Sequence, residues 1–271
     1  MESERVRPLV VFDYDWSLIN ENSDTWVVQR LAPECYDEAF GRGGSALGWT
    51  ERMDRAMGLL QDGGKTVAEV RCAAASVPFY PEMKEALAYA GDMGCRLIIL
   101  SDANRIFIEE GLKAMGLDHL FDLDVAQEKR LDSEARQGVI LTNEGFEESG
   151  RLRIAPFHHN KDCPLCPTNL CKGRVLSDAL ATRPERSSPI LYIGDGGGDF
   201  CAAARLEEGD VLLYREGRKW GLQRRLERQG CLPGPENGQK ALEAQYPIKA
   251  GLRPWRNGAD VLRAFEDILS R

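Results

Sequence analysis

The sequence predicts an α/β fold, doubly wound around a mostly parallel sheet, with a helical cap inserted after the first strand. Three observations predict it. Five apolar runs, Leu9–Phe12, Arg96–Leu100, Phe121–Val125, Pro189–Ile193 and Val211–Tyr214, are four or five residues long and bounded by Gly, Asp or Ser, as suits strands buried on both faces. Between them, Glu82–Met93, Ala103–Met115 and Gly173–Thr182 carry apolar residues at helical spacing, which implies crossover connections and a parallel sheet. The stretch 21–81 has no strand pattern. There, Asp24–Leu31, Trp49–Leu60 and Thr66–Ser76 read as helices, broken by Gly-rich turns at Gly43-Gly44 and Gly63-Gly64. The expected division is a catalytic core of 1–20 and 82–271 and a cap of 21–81.

Two further segments depart from the rhythm. Val139–Thr142 and Arg151–Ile154, divided by Asn143–Gly150, read as a β-hairpin leading into a Cys-rich turn. Leu232–Arg256 is rich in Pro and Gly and poorly periodic, before a last helix, Gly258–Ser270. With 43% hydrophobic and 29% charged residues the chain is expected to fold rather than remain disordered. Lys plus Arg number 35 against 43 Asp plus Glu, a net charge of −8. That balance argues against nucleic acid or an anionic membrane as partner. No apolar run reaches the roughly 20 residues of a membrane span, and the first residues lack a secretory core. The eight cysteines therefore read as thiols or metal ligands of a cytoplasmic protein rather than a disulfide framework.

The chemistry collects at strand ends. Leu9–Phe12 runs into Asp13-Tyr14-Asp15-Trp16-Ser17, two carboxylates one residue apart. In an open parallel sheet that edge is where ligands bind, and an unpaired carboxylate is too costly to bury. The second run ends in Ser101-Asp102, and Ile190–Ile193 ends in Gly194-Asp195-Gly196-Gly197-Gly198-Asp199; Lys172 lies between them, ahead of a helical stretch. Independent strand ends thus bring carboxylates, a hydroxyl and an ammonium to one rim. Taken singly, Asp199 or Asp102 reads as a helix N-cap, Lys172 as a surface lysine and Ser101 as a turn residue; it is their convergence that points to chemistry.

Asp-x-Asp-x-Ser, then Ser, then Lys, then Gly-Asp-x-x-x-Asp, in that order, resembles the four motifs of the haloacid dehalogenase (HAD) superfamily of phosphotransferases. More narrowly, Glu21-Asn22-Ser23-Asp24, Ser101-Asp102-Ala103-Asn104, Cys166-Pro167-x-Asn169-x-Cys171-Lys172 and Gly194-Asp195-Gly196-x-x-Asp199-Phe200-Cys201 resemble the eukaryotic phosphoethanolamine/phosphocholine phosphatase family. That family includes pyridoxal phosphate, thiamine phosphate and pyrophosphate phosphatases. The sequence departs from the superfamily pattern at Ser17, more often Thr, and at the bulky Trp16.

The resemblance implies a Mg²⁺-dependent phosphatase acting on a small phosphorylated metabolite. Asp13 is the implied nucleophile, forming an aspartyl phosphate, and Asp15 the acid and then base. Ser101 and Lys172 are implied to hold the phosphoryl group. Mg²⁺ is implied at Asp13, Asp195 and the Asp15 backbone carbonyl, with Asp199 acting through water. Ser17, Asp24 and Asp102 are the expected substrate contacts, the two aspartates for a cationic head group. A helical cap suits a small substrate over a phosphoprotein. In the competing reading Asp24 and Asp102 only cap helices. Trp16 and Trp26 could stack on a cation, though packing is the favoured reading for both.

Cys163-x₂-Cys166-x₄-Cys171, preceded by His158-His159, offers three thiolates and an imidazole for a structural Zn²⁺, with His158 as the fourth ligand. The other cysteines, Cys201 among them, read as small buried hydrophobes. Two rival functions remain: a catalytically weak phospho-ligand sensor, which the complete set Asp13, Asp15, Lys172, Asp195 opposes, and a zinc-dependent nucleic-acid module, which the shortage of basic residues opposes.

Overall fold

The computed structural model describes residues 7–41, 47–123, 138–181, 188–217, 219–233 and 242–270. The chain opens with β1 (Leu9–Phe12) and a wide turn, Tyr14–Leu18, and then runs through α1 (Ser23–Leu31), α2 (Tyr36–Phe40), α3 (Trp49–Asp62) and α4 (Val67–Ala75). It continues through α5 (Pro81–Asp92), β2 (Arg96–Asn104), α6 (Arg105–Met115), β3 (Gly138–Glu148) and β4 (Arg151–Ala155). The last third holds α7 (Lys172–Ala181), β5 (Ile190–Gly194), α8 (Asp199–Ala203), β6 (Val211–Arg215), α9 (Gly221–Gln229), β7 (Gly251–Trp255) and α10 (Gly258–Leu269).

Among the described residues, seven strands form one sheet in the order β4-β3-β2-β1-β5-β6-β7. All neighbours are parallel except β3 and β4, so the α/β, doubly wound expectation holds. Strand alternation sorts the core into two layers. Val10, Phe12, Leu97, Ile99, Leu191 and Ile193 pack with residues of α5, α6 and α10, while Leu9, Val11, Ile98, Leu100, Ile190 and Tyr192 pack with α7, α8 and α9. Because β1 lies between β2 and β5, the chain leaves it in opposite directions on its two sides. The crevice where strand order reverses therefore opens above the C-terminal end of β1.

Helices α1, α3 and α4 share a third apolar cluster, including Val27, Met53, Met57, Leu60 and Val70, which also takes in Phe107 of α6 and Leu152 and Ile154 of β4. Strand β4 is a sheet edge, and α3 covers it. The free edge N–H groups of Leu152 and Ile154 donate to Gln61 Oε1 (3.0 Å) and Asp54 Oδ1 (2.9 Å). Arg153 clamps the Asp54 carboxylate through two bonds of 2.8 Å. An exposed row of strand donors is thereby turned into a docking surface for the helical insertion.

Three local expectations need correction, and one helix, α9, has no sequence signal. The hairpin is longer and differently divided. β3 is one continuous strand whose first half pairs parallel with β2 and whose second half, Glu144–Glu148, pairs antiparallel with β4. The turn is only Ser149-Gly150, both in the left-handed region at φ 51° and 76°. The acidic, Gly-containing Asn143–Gly150 looked like a loop because this half-exposed ribbon buries little. Of the expected strand Phe121–Val125, Phe121–Leu123 carry no strand, and Asp124 and Val125 lie outside the described residues, as do Gly43-Gly44 and Thr182. β7 emerges from the supposedly irregular tail; it contains Pro254, which a sheet tolerates only at its edge. Helix α9 has only Leu222 and Leu226 buried, too narrow an apolar stripe to stand out among its arginines and glutamines.

Candidate active site

Asp13 continues β1 by one step: its N–H donates to Ile193 O of β5 at 2.9 Å, which sets it beside the end of the neighbouring strand. The next residues make a wide turn closed by Leu18 N–H to Asp13 O (3.2 Å) and Ile19 N–H to Tyr14 O (3.0 Å). Trp16 takes a left-handed conformation at φ 57°, a state that costs a non-glycine residue about 1–3 kcal/mol. Neighbouring contacts hold it there. Arg215 donates to the Trp16 carbonyl, and its guanidinium lies over Trp220 and Trp255 at 4.1 and 5.0 Å from the ring centroids. Trp16 also packs on Trp220, and Trp26 Nε1 donates to Ser76 Oγ, so both tryptophans are engaged in packing.

Lys172, at the N-terminus of α7, is 2% exposed. Its Nζ reaches Asp13 Oδ2 at 2.8 Å and Asp199 Oδ1 at 2.7 Å. Asp199 is fully enclosed by donors. Oδ1 also accepts from Tyr192 OH (2.8 Å), and Oδ2 from the N–H groups of Asp195 (3.1 Å) and Gly196 (2.9 Å). Gly194 permits this, since a Cβ there would lie 2.6 Å from the Asp199 carboxyl carbon. Helix α9 braces the same turn, with Leu222 N–H donating to Asp195 O at 2.8 Å.

Asp13, Asp195 and Asp199 bring carboxylate oxygens within 4.8 Å of one another, against the single ammonium of Lys172. Burial first, and then Asp199, push the Asp13 carboxyl up to about 7. Asp195 is raised by burial and by Asp13. A divalent cation would relieve this excess of negative charge, and a hard, all-oxygen donor set of this kind fits Mg²⁺. Ser17, expected among the substrate contacts, instead donates to Asp195 Oδ1 at 3.0 Å and is 1% exposed. The wide turn folds its hydroxyl back beneath the strand ends, where it orients Asp195.

Asp15 faces the insertion. Its carboxylate accepts from Asn22 Nδ2 (3.0 Å) and Ser23 N–H (2.9 Å), and burial and the nearby Asp24 raise its ionisation well above the usual range. Asp24 is 1% exposed, accepting from Trp49 Nε1 at 2.7 Å and Asn104 Nδ2 at 3.3 Å; burial pushes it up to about 7. Asp102 accepts from Asn169 Nδ2 at 3.0 Å and is likewise raised, mainly by burial. Neither aspartate caps a helix. The caps of α1 and α6 are Asn22, accepting from Thr25 N–H, and Asn104, accepting from Phe107 N–H. Ser101 is buried in β2, where the pairing with β3 shifts register before Asn104, its Oγ accepting from Ala103 N–H at 3.2 Å.

Several members of this constellation carry no role in the sequence reading. Tyr192 looked like an ordinary strand residue, and Trp49 like a cap-helix residue. Asn104 and Asn169 stood in quoted motifs without a task. Asn143 donates to Asp102 O and Ala103 O (2.6 and 3.0 Å) and accepts from Asn169 (3.2 Å) and Phe157 N–H (3.1 Å). The usable signal is Asn itself, which is poorly suited to strands and helix interiors yet stands beside the Asp13, Ser101 and Lys172 motifs as Asn22, Asn104 and Asn169. At the Cys-rich turn, Cys163, Cys166 and Cys171 do converge, but with Cys201 of α8 rather than His158. His158 Nε2 is occupied as the acceptor of Cys171 N–H at 3.1 Å.

Comparison with known proteins shows the family and the fold. The sequence model of a family described as Putative Phosphatase matches residues 8–269. The chain is 32% identical to mouse pyridoxal phosphate phosphatase PHOSPHO2, over 95% of this chain and 96% of that one. It is 30% identical to inorganic pyrophosphatase 2 of Arabidopsis thaliana, over 97% and 84%, and 34% identical to a thiamine phosphate phosphatase-like protein of the same plant, over 76% and 80%. Among solved structures, a phosphoserine phosphatase from T. onnurineus superposes with a TM-score of 0.53 at 14% identity, covering 99% of this chain and 98% of that one; this likeness concerns the fold.

Proposed function

We propose, on the premise that the chain belongs to the Putative Phosphatase family and is a HAD-type phosphatase acting on small phosphate substrates, that its substrate is a phosphomonoester carrying a positive charge, phosphoethanolamine or phosphocholine first. The observation that carries this reading is the pair of carboxyl groups, buried Asp24 and half-buried Asp102, beside the phosphate-handling groups. The side-chain hydrogen-bond partners of Asp24 and Asp102 are a neutral indole and neutral amides, and the cation near Asp102, Lys172, is already paired with Asp13 and Asp199. Carboxylates so placed repel a phosphate, and a cation on the far end of the substrate offsets that cost. The same chemistry keeps thiamine phosphate and pyridoxal phosphate, both bearing ring nitrogens, in contention. It disfavours pyrophosphate, which is anionic throughout.

In this reading Asp13 attacks phosphorus and becomes an aspartyl phosphate. Asp15 begins protonated, consistent with its raised ionisation, and gives its proton to the leaving oxygen. It then takes one from the water that hydrolyses the acyl phosphate. Lys172 and the Ser101 hydroxyl donate to phosphoryl oxygens. Asp199 and Tyr192 fix the ammonium, and Ser17 fixes Asp195. Asp13, Asp195 and the Asp15 carbonyl would hold Mg²⁺, which would supply positive charge to keep Asp13 ionised and to offset the negative charge of the phosphate. The insertion, 21–81, serves as the cap that excludes water over the site.

Phosphate release with Mg²⁺ across phosphoethanolamine, phosphocholine, thiamine phosphate, pyridoxal phosphate, pyrophosphate and glycerol phosphate tests the proposal. The cationic esters are expected to give the highest kcat/KM; preference for pyrophosphate or glycerol phosphate overturns the substrate assignment.

A further inference from the structure

Outside the carboxylate centre, one group of potential ligands stands out. The sulfurs of Cys163, Cys166, Cys171 and Cys201 all lie within 4.8 Å of one another. Cys201 Sγ is 3.5 Å from Cys163 Sγ and 3.9 Å from Cys171 Sγ. Four thiolates around a tetrahedral zinc, with Zn–S near 2.3 Å, stand about 3.8 Å apart, whereas a disulfide brings two sulfurs to about 2.05 Å. We infer that Cys163, Cys166, Cys171 and Cys201 form a structural Zn²⁺ site that ties the N-terminus of α7 to α8.

The surroundings are built as a thiolate cradle. Asn160 shapes the turn that carries the first two ligands: its Nδ2 donates to Cys163 O (3.0 Å), Cys166 O (3.3 Å) and Pro167 O (3.0 Å), and its Oδ1 accepts from Cys163 N–H (3.1 Å). Backbone N–H groups at the start of α7 are aimed at sulfur, Gly173 at Cys201 and Arg174 at Cys171. Gly173 has to be glycine, because a Cβ there would fall 2.5 Å from Cys201 Sγ. His158 orients a ligand rather than binding the ion, through its bond from Cys171 N–H, the outer-shell role such a residue plays in metal sites.

The placement gives the ion a task. Cys171 immediately precedes Lys172, and Cys201 follows Asp199 by two residues, so the metal would clamp the two backbone segments whose side chains form the 2.7 Å pair in the carboxylate centre. It would hold Lys172 in position without touching substrate.

Metal analysis of the full chain, purified without chelators from cells grown with added zinc, is expected to find one Zn²⁺ per chain. Cys201→Ser and the milder, half-exposed Cys163→Ser should each lose it, and His158→Ala should keep it. Titrating the folded protein with a mercurial should release zinc as four thiols react. Zinc absent from the wild type, with these cysteines freely reactive or linked as disulfides by mass, overturns the site. Zinc lost from His158→Ala but kept in Cys201→Ser overturns the ligand set. These readouts need no turnover, so they stand or fall separately from the phosphatase reading.

Discussion

Replacing Asp13 by Asn is expected to abolish activity and, in the same molecule, raise stability. Burial and Asp199 defer ionisation of this carboxyl from 3.8 to about 7 in the folded protein. A gap of about three pH units, at about 1.4 kcal/mol each, comes to about 4 kcal/mol. The sign follows from proton counting. Between pH 3.8 and about 7 the folded state binds the proton that the unfolded chain has released, so stability falls as pH rises through this window and levels off above it. Asn carries no such charge and keeps the shape. In urea melts with EDTA, Asp13→Asn should exceed the wild type by more at pH 8 than at pH 5, reaching on the order of a few kcal/mol at pH 8, while releasing no phosphate in Mg²⁺. A variant no more stable than wild type, or one whose advantage does not grow with pH, refutes the charge-crowding account. Retained turnover refutes the nucleophile.

Three further outcomes are expected. Lys172→Met should lower kcat by roughly 10²–10³, the usual loss for one preorganised donor to a transition-state oxygen, read as phosphate release at saturating substrate and Mg²⁺. Asp24→Asn should cut kcat/KM for phosphoethanolamine or phosphocholine by roughly 10- to 150-fold, the value of one lost charge-assisted contact; an equal loss on glycerol phosphate would sink the selectivity idea. Gly111→Ala sets a Cβ 1.9 Å from the Tyr14 hydroxyl and should cost about 1–3 kcal/mol by thermal melting. Adding Tyr14→Phe, which removes that oxygen and its bond to Phe107 O, should recover much of the loss.

The residues that mark the crevice were legible because strands buried on both faces announce themselves as short apolar runs, and the polar residue that ends each run must sit at the rim. Asp13, Ser101 and Asp195 were found that way. Lys172 was found from its position ahead of a helix and its place in the motif order. The supporting residues were not legible for the complementary reason. Tyr192 is as apolar in outline as its strand neighbours, and only its hydroxyl, turned to Asp199, betrays its task. Cys201 lies 30 residues beyond Cys171, so its membership of the sulfur cluster depends on α7 and α8 folding against each other. Strand β3 was misread at Asn143 because one strand there changes partner from the parallel sheet to the antiparallel ribbon, and the new partner lies beyond the turn.

The central position of β1 has a consequence for how the protein is made. Leu9 pairs with Arg96 on one side and with Ile190 on the other, so its second neighbour lies 190 − 9 = 181 residues away. At synthesis rates of roughly 5–20 residues per second, the nascent chain carries this apolar strand for many seconds before β5 exists to flank it. Long-range parallel pairing is also slow in itself. The helical segment that follows β1 waits less long, since its apolar cluster is complete once α6 and β4 have emerged. Helices α1, α3 and α4 are therefore expected to settle on the ribosome before β1 has both of its neighbours. Asp13 gains its setting only when Lys172, Asp195 and Asp199 have all emerged.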